Sequence, residues 1–169
     1  MRCVAVAASL LALGLGAGAA LGDPSEDLWS GQVVVESRGD ARAYNTREAA
    51  AGIVQIRPKC LADINRIAKK QGLAVRYTAS DRFSASKSRQ MWVLYLRYWG
   101  EQYAKETGRE PTDEVYARIW NGGPTGWRKG TTRPYWRRVR DAMPDEAEVT
   151  VASAGTPAKS DPEQSAGQT

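Results

Sequence analysis

The chain contains no histidine, and its two cysteines are Cys3 and Cys60. Without histidine, Ser-His-Asp and Cys-His catalysis are excluded, and a zinc hydrolase is disfavoured. Long apolar runs are also missing, apart from one at the N-terminus between Val4 and Leu21. That run follows a positive Arg2, is rich in Leu and Ala to Leu15, and passes into small residues from Gly16 to Gly22. It reads as a secretory leader over residues 1–22, with cleavage after Ala19 or after Gly22. The alternative is a retained membrane anchor, which the apolar run is about long enough to form, although much of it is Gly and Ala. Cys3 precedes the apolar run, so it is not placed as a lipoprotein cysteine. Removal of the leader leaves Cys60 alone. No internal disulfide can then form, and the fold has to be held by its core. Cys60 opens an apolar-periodic helix, so burial is the expected fate of its thiol.

The 169 residues suffice for one domain with tails. Charge divides them unevenly. Residues 23–144 hold 22 Lys and Arg against 14 Asp and Glu, whereas residues 145–169 hold one Lys against five acids. A basic exported domain is attracted to anionic polymers, of which a cell wall is one. Charge alone fits a merely solvated basic surface equally well. The leader, rather than the charge, argues against nucleic acid as a partner. Beyond Pro144 the chain is Ala, Ser, Gly, Pro, Thr and acids, a composition that buries no core and is expected to be a disordered tail.

Between the two tails the apolar periodicity is helical. The first helix is expected from Asp23 to Ser37, with Ser25 as N-cap, Glu26 and Asp27 in the first turn, and a stripe through Trp29 and Val33 with Leu28 and Val35 beside it. Locally the Val triplet favours a strand. Arg38 to Arg57 reads mostly as loop. Pro58 opens a helix carrying Leu61, Ile64, Ile67 and Ala68 on one face. Val75 to Arg82 is a short connection. Ser84 or Ser86 caps the longest helix, through about Lys105, whose stripe of Met91, Trp92, Leu94, Tyr95, Tyr98, Trp99, Gln102 and Tyr103 reads as core. Thr112 caps a fourth helix with Val115, Tyr116 and Ile119 inward, ended by Asn121-Gly122-Gly123-Pro124. Thr131 or Thr132 starts a last helix through Met143, with Tyr135, Trp136 and Val139 as its stripe. The expected fold is mainly α, a single helical domain over residues 23–144.

The chemistry centres on Val33-Val34-Val35-Glu36-Ser37-Arg38-Gly39. Glu36 follows an apolar run at a helix end, where an anion is poorly solvated and the pKa rises. A raised pKa suits a general acid. With histidine absent, carboxylate acid/base chemistry remains, and glycoside cleavage is its commonest use. On spacing alone, a surface charge or an ion pair is the commoner fate of such a residue.

Three further segments change that balance: Ala51-Gly52-Ile53-Val54-Gln55-Ile56, then Ile119-Trp120-Asn121-Gly122-Gly123, then Thr132-Arg133-Pro134-Tyr135. In this order, with Glu36-Ser37 before them, they resemble the soluble lytic transglycosylases and goose-type lysozymes, over roughly Leu28 to Val139. The resemblance implies a lysozyme-like helical domain with a cleft for peptidoglycan glycan strands, in an exported protein, periplasmic or extracellular, with no stable membrane insertion after leader removal. It implies Glu36 as the catalytic acid. Ser37, Gly52, Gln55, Trp120, Asn121 and Tyr135 become residues that bind substrate or orient the acid, with no metal and no cofactor. Ser37 would orient Glu36 or merely finish the helix. Gly52 would let the backbone approach the sugar, Gln55 would offer a donor and an acceptor, and Tyr135 would bond Glu36 or the sugar. Val54 stands where the family has Met, and Trp120 where it has Tyr. Trp120 and Trp127 flank the Gly-rich turn and are candidates to stack on sugar faces.

The implied reaction is lytic transglycosylation. Glu36 protonates the bond between N-acetylmuramic acid and N-acetylglucosamine. The substrate's N-acetyl carbonyl stabilises the cationic carbon, and the C6 hydroxyl closes a 1,6-anhydro ring. The alternatives are a hydrolytic lysozyme of the same fold, or a catalytically silent wall-binding protein, with a role in making wall gaps for a larger envelope assembly as a third possibility. A second carboxylate, if one serves, is Asp40 or Glu48.

Overall fold

The computed structural model describes residues 22–144. The expected leader, apart from Gly22, and the expected acidic tail lie outside the described residues. Five helices carry the fold: α1 (Glu26–Ser37), α2 (Pro58–Lys70), α3 (Ala85–Thr107), α4 (Asp113–Gly122) and α5 (Arg133–Arg140). A small antiparallel hairpin, β1 (Tyr44–Asn45) and β2 (Ala50–Ala51), stands between α1 and α2, with Tyr44 opposite Ala51 and Asn45 opposite Ala50. Short 3-10 turns at Ser80–Phe83, Gly126–Arg128 and Gly130–Thr132 complete the connections.

The helix ends follow their capping residues. Ser25 accepts the amide of Leu28 at 3.0 Å and donates its own hydroxyl to Asp113 at 2.6 Å, so the cap of α1 is tied to the first turn of α4. Ser84 and Thr112 cap α3 and α4 in the same way. α3 lies at the centre. Its Met91, Trp92 and Leu96 are wholly buried, and they join Ile64 and Ile67 of α2, Ile119 of α4 and Val139 of α5 in one core. Burying side chains of this size contributes about 1.5–3 kcal/mol each. Cys60 is a free thiol, so the described fold has no disulfide to add to that.

The inward face of α1 differs from the expected stripe. Leu28, Gly31 and Gln32 are buried, Trp29, Val33 and Val35 are half-buried, and Val34 is half exposed. The cause is the approach of α5. A Cβ placed on Gly31 would lie 2.6 Å from the carbonyl oxygen of Val139, so only glycine lets the helices meet this closely. That contact brings Tyr135, one turn before Val139, over the Leu28–Gln32–Glu36 line of α1.

The segment 38–57, expected mostly as loop, contains the hairpin. Strands of two residues carry no readable alternation. Side chains from elsewhere clamp it: Arg82 donates to the carbonyls of Ala49 at 2.8 Å and Ile56 at 2.7 Å, Ser37 donates to Ile53 at 2.7 Å, and Trp120 donates to Val54 at 3.2 Å. Gly52 sits at φ +81°, with a hypothetical Cβ only 1.6 Å from the Arg82 carbonyl oxygen. Its lack of a side chain serves that backbone crossing.

These two close approaches predict an order of sensitivity. Gly31→Ala meets the Val139 carbonyl oxygen and the Met143 side chain at Cγ, in an ordinary helical conformation, and is expected to cost about 1–3 kcal/mol. Gly52→Ala meets immovable backbone as well as an unfavourable φ and is expected to cost more than about 3 kcal/mol. Denaturant unfolding of the two variants checks this; equal losses would contradict it.

Candidate active site

A cleft of about 1110 Å³ runs between the hairpin and the helices. Glu36 enters it from the end of α1, and Asn45, Glu48 and Ala50 enter from the hairpin. Cys60, Asp63 and Arg66 of α2 and Tyr95 and Trp99 of α3 form another part of the lining. The end of α4 and the turn after it contribute Trp120, Asn121, Gly122 and Gly123. A space of this size is large for a single small ligand and suits an extended one.

Glu36 is half-buried and accepts a hydrogen bond from the Tyr135 hydroxyl at 2.7 Å. Tyr135 is itself 4% exposed and accepts from Gln32 Nε2 at 2.9 Å. Burial is the largest influence on Glu36 and raises its pKa to about 7. The Tyr135 hydrogen bond and the guanidinium groups of Arg57 and Arg138 pull the other way, while the charge of Glu48 adds to the rise. Desolvation wins because the end of α1 is roofed by α5. Burial, and then the adjoining Glu36, also push the Tyr135 phenol well above its ordinary range, so it serves as a donor near neutrality.

Glu48 sits on the turn between β1 and β2, in the same cleft as Glu36. Its backbone amide donates to the side-chain oxygen of Asn45 at 3.3 Å, and Arg57 binds its carboxylate at 2.7 Å. Asn45 shapes the turn, and Arg57, at the head of α2, fixes the direction of the side chain. Asp40 does not line the cleft; its carboxylate accepts the amide of Arg42 at 2.7 Å in a local turn.

The other sequence-derived candidates are divided by the structure. Gln55, Trp120 and Asn121 line the cleft. Gln55 adopts φ +51°, and its Nε2 donates to Gly52 at 3.0 Å and Ala43 at 3.3 Å, so its donor is used within the loop. The indole N–H of Trp120 is likewise spent on Val54, and the ring meets Tyr95 edge to face at 5.8 Å. Ser37 does not bond Glu36. Its hydroxyl holds the loop at Ile53, which places the residues after Gly52 beside the cleft. Gly52 is buried outside the cleft lining, and its close approach is to Arg82 rather than to a sugar. Trp127 packs on Tyr103 at 5.0 Å, beneath Arg128, and is also outside the cleft lining.

Two groups were missed from sequence. Gln32 lies four residues before Glu36 on the same helical face, and a lone amide in an apolar stripe was the available signal. Trp99 was read as core but reaches the cleft with its N–H on Asp63 at 3.1 Å and Arg66 over its ring at 5.9 Å. Cys60 also lines the cleft. Burial pushes its thiol up to about 12, so it is neutral at ordinary pH and no nucleophile. Among the described residues, no group of three or more Cys, Asp or Glu side chains is placed to hold a metal ion, and no helix is long and apolar enough to cross a membrane.

Two solved structures are similar to this chain in shape. The crystal structure of Tapes japonica lysozyme superposes with a TM-score of 0.54 at 20% identity, covering 69% of this chain and 88% of that one. A chain in the crystal structure of Aeromonas hydrophila PliI in complex with Meretrix lusoria lysozyme gives 0.53 at 26% identity, with the same coverage. The fold is that of the lysozyme-like superfamily. Among curated proteins, a lysozyme of Magallana gigas is 30% identical over 96 residues, 57% of this chain and 62% of that protein. Lysozyme 1 of Crassostrea virginica is 46% identical over 39 residues, 23% of this chain. The chain spans 62% and 21% of the lengths of these two relatives. No family model matches the chain. Within the lysozyme-like domain, three carboxylates line the cleft: Glu36 from α1, Glu48 from the hairpin turn, and Asp63 of α2, which is held by Arg66 and Trp99.

The sign of the Glu36 shift makes a stability prediction. A carboxyl whose pKa is higher in the folded than in the unfolded chain supports folding fully below the ordinary carboxylate range. That support is lost as pH rises through about 7. Glu36→Gln removes the buried anion. Its stability relative to wild type is expected to be on the order of 3 kcal/mol more favourable at pH 8 than at pH 4. Denaturant unfolding at the two pH values checks this; the same difference at both would show that Glu36 titrates normally.

Proposed function

We propose that the protein is an exported muramidase that hydrolyses the β-1,4 bond between N-acetylmuramic acid and N-acetylglucosamine in peptidoglycan. The observation that carries this reading is the pair of unlike carboxylates in one cleft. Glu36 is partly desolvated, with its pKa raised to about 7, while Glu48 is exposed and ion-paired to Arg57. Two carboxyl groups held in different environments are the working parts of glycoside hydrolysis. Glu36 protonates the glycosidic oxygen as the bond breaks. Glu48 faces the electron-poor anomeric carbon with negative charge, and water completes the cleavage, returning a proton to Glu36. Trp99 and Trp120 supply aromatic surface for the sugars, and Gln55 and Asn121 supply polar contacts.

Hydrolysis is preferred to lytic transglycosylation for two reasons. A second carboxylate is at hand, so the substrate's own N-acetyl group need not act alone. The curated relatives are lysozymes. On this reading the partner is the glycan strand of a cell wall, met outside the cytoplasm, and no metal or cofactor takes part.

Mass spectrometry of the soluble products formed from purified peptidoglycan by residues 23–169 tests the reaction. Reducing muramyl ends are expected; 1,6-anhydro ends would instead establish transglycosylation. Glu36→Gln is expected to lower turnover about 10²–10⁴-fold, and Glu48→Gln to lower it while leaving the Glu36 titration near neutrality. Activity is expected to fall as pH rises through about 7, where Glu36 loses its proton. Muramidase activity surviving in Glu36→Gln would overturn the assignment.

A further inference from the structure

Behind Glu36 lies a line of buried hydrogen bonds whose direction is fixed at its far end. Trp92 and Gln32 are both wholly buried. The Trp92 indole N–H donates to Gln32 Oε1 at 2.7 Å, Gln32 Nε2 donates to Tyr135 at 2.9 Å, and Tyr135 donates to Glu36 Oε1 at 2.7 Å. An indole N–H donates and never accepts. The atom facing it must therefore be the amide oxygen of Gln32, which leaves the amide nitrogen facing Tyr135. That nitrogen can only donate, so the phenolic oxygen is an acceptor on this side. The phenolic proton is left with Glu36 as its target.

We propose that Gln32 and Trp92 are positioning residues that aim the Tyr135 hydroxyl proton at Glu36 Oε1 and so confine the acidic proton of Glu36 to Oε2. The proposal rests on the reading of Glu36 as the general acid. A proton on Oε1 would meet the proton already directed there by Tyr135. Oε2, the oxygen that Tyr135 does not engage, is where a transferable proton belongs. The other groups acting on Glu36 are Arg57 at the head of α2, Arg138 on α5 and Glu48 on the hairpin turn. None of these belongs to the line. Trp92 carries no charge, and the line of bonds is its polar route to Glu36.

Trp92→Phe removes the fixed donor. Gln32 can then turn its oxygen toward Tyr135 and draw the phenolic proton away from Glu36. Followed by carbon NMR of the Glu36 carboxyl in the full chain, the titration midpoint is expected to rise by about one pH unit, as loss of one hydrogen bond to a charged group implies. The falling limb of the kcat profile should move with it, and KM should stay. Tyr135→Phe should raise the midpoint at least as far. A folded Trp92→Phe protein with an unchanged midpoint would overturn the proposal. Because Trp92 is a core residue, the wild-type protein provides a second reading. The Trp92 indole nitrogen resonance should titrate with the same midpoint as Glu36, and an indole indifferent to pH would also overturn it. The NMR readouts need no turnover. A midpoint shift in a chain without muramidase activity would support the positioning role and overturn the enzymatic reading instead.

Discussion

The hydrogen bond between Tyr135 and Glu36 is the constraint around which the site is arranged. It requires α1 and α5 to cross closely, which Gly31 permits by letting the Val139 carbonyl approach. The crossing removes water from the end of α1, and the same removal raises the Glu36 pKa. The bond itself works against that rise, because it favours the anion. The carboxyl is therefore neither an ordinary surface acid nor a group locked in one state. It is left near neutrality by opposed influences, of which desolvation is the largest. A general acid that must give up and recover a proton needs that balance.

The other half of the cleft is built on different physics. The hairpin is too short to stand alone, and side chains hold it from outside. Arg82 spans the carbonyls of Ala49 and Ile56, Ser37 and Trp120 grip the following loop, and Arg57 steadies Glu48. Ser37 adjoins Glu36 in sequence, so the end of α1 supplies both the acid and a tether for the opposing wall. With Cys60 a free thiol, this coupling and the α3-centred core are what hold the two walls in place.

Much of this arrangement was legible in the sequence. The caps Ser25, Ser84 and Thr112 and the 3.6-residue periodicity gave the helices, because capping and amphipathicity are local. The helix-end carboxylate after three valines pointed to a desolvated acid for the same reason. The destinations of side chains were not legible. The sequence points Ser37 to Glu36 or to the helix end, and Gly52 and Trp127 to the sugar, yet they serve a loop tether, a backbone crossing and a packing contact. Trp99 was read as core, yet it reaches the cleft. Each of these depends on which segment arrives from far along the chain. The resemblance to lytic transglycosylases led to the lysozyme-like fold. It also implied the single-carboxylate mechanism of that family, whereas the structure places Glu48 in the same cleft as Glu36.

The site depends on one half-buried carboxyl, Glu36, staying protonated to near neutral pH at the wall of the cleft. The most direct measurement is the pH titration of the Glu36 side-chain carboxyl carbon by NMR in the unaltered protein. A midpoint near 7 is predicted. A midpoint in the ordinary carboxylate range, near 4, would mean that Glu36 is solvated as an anion. It would then have no proton to donate at neutral pH.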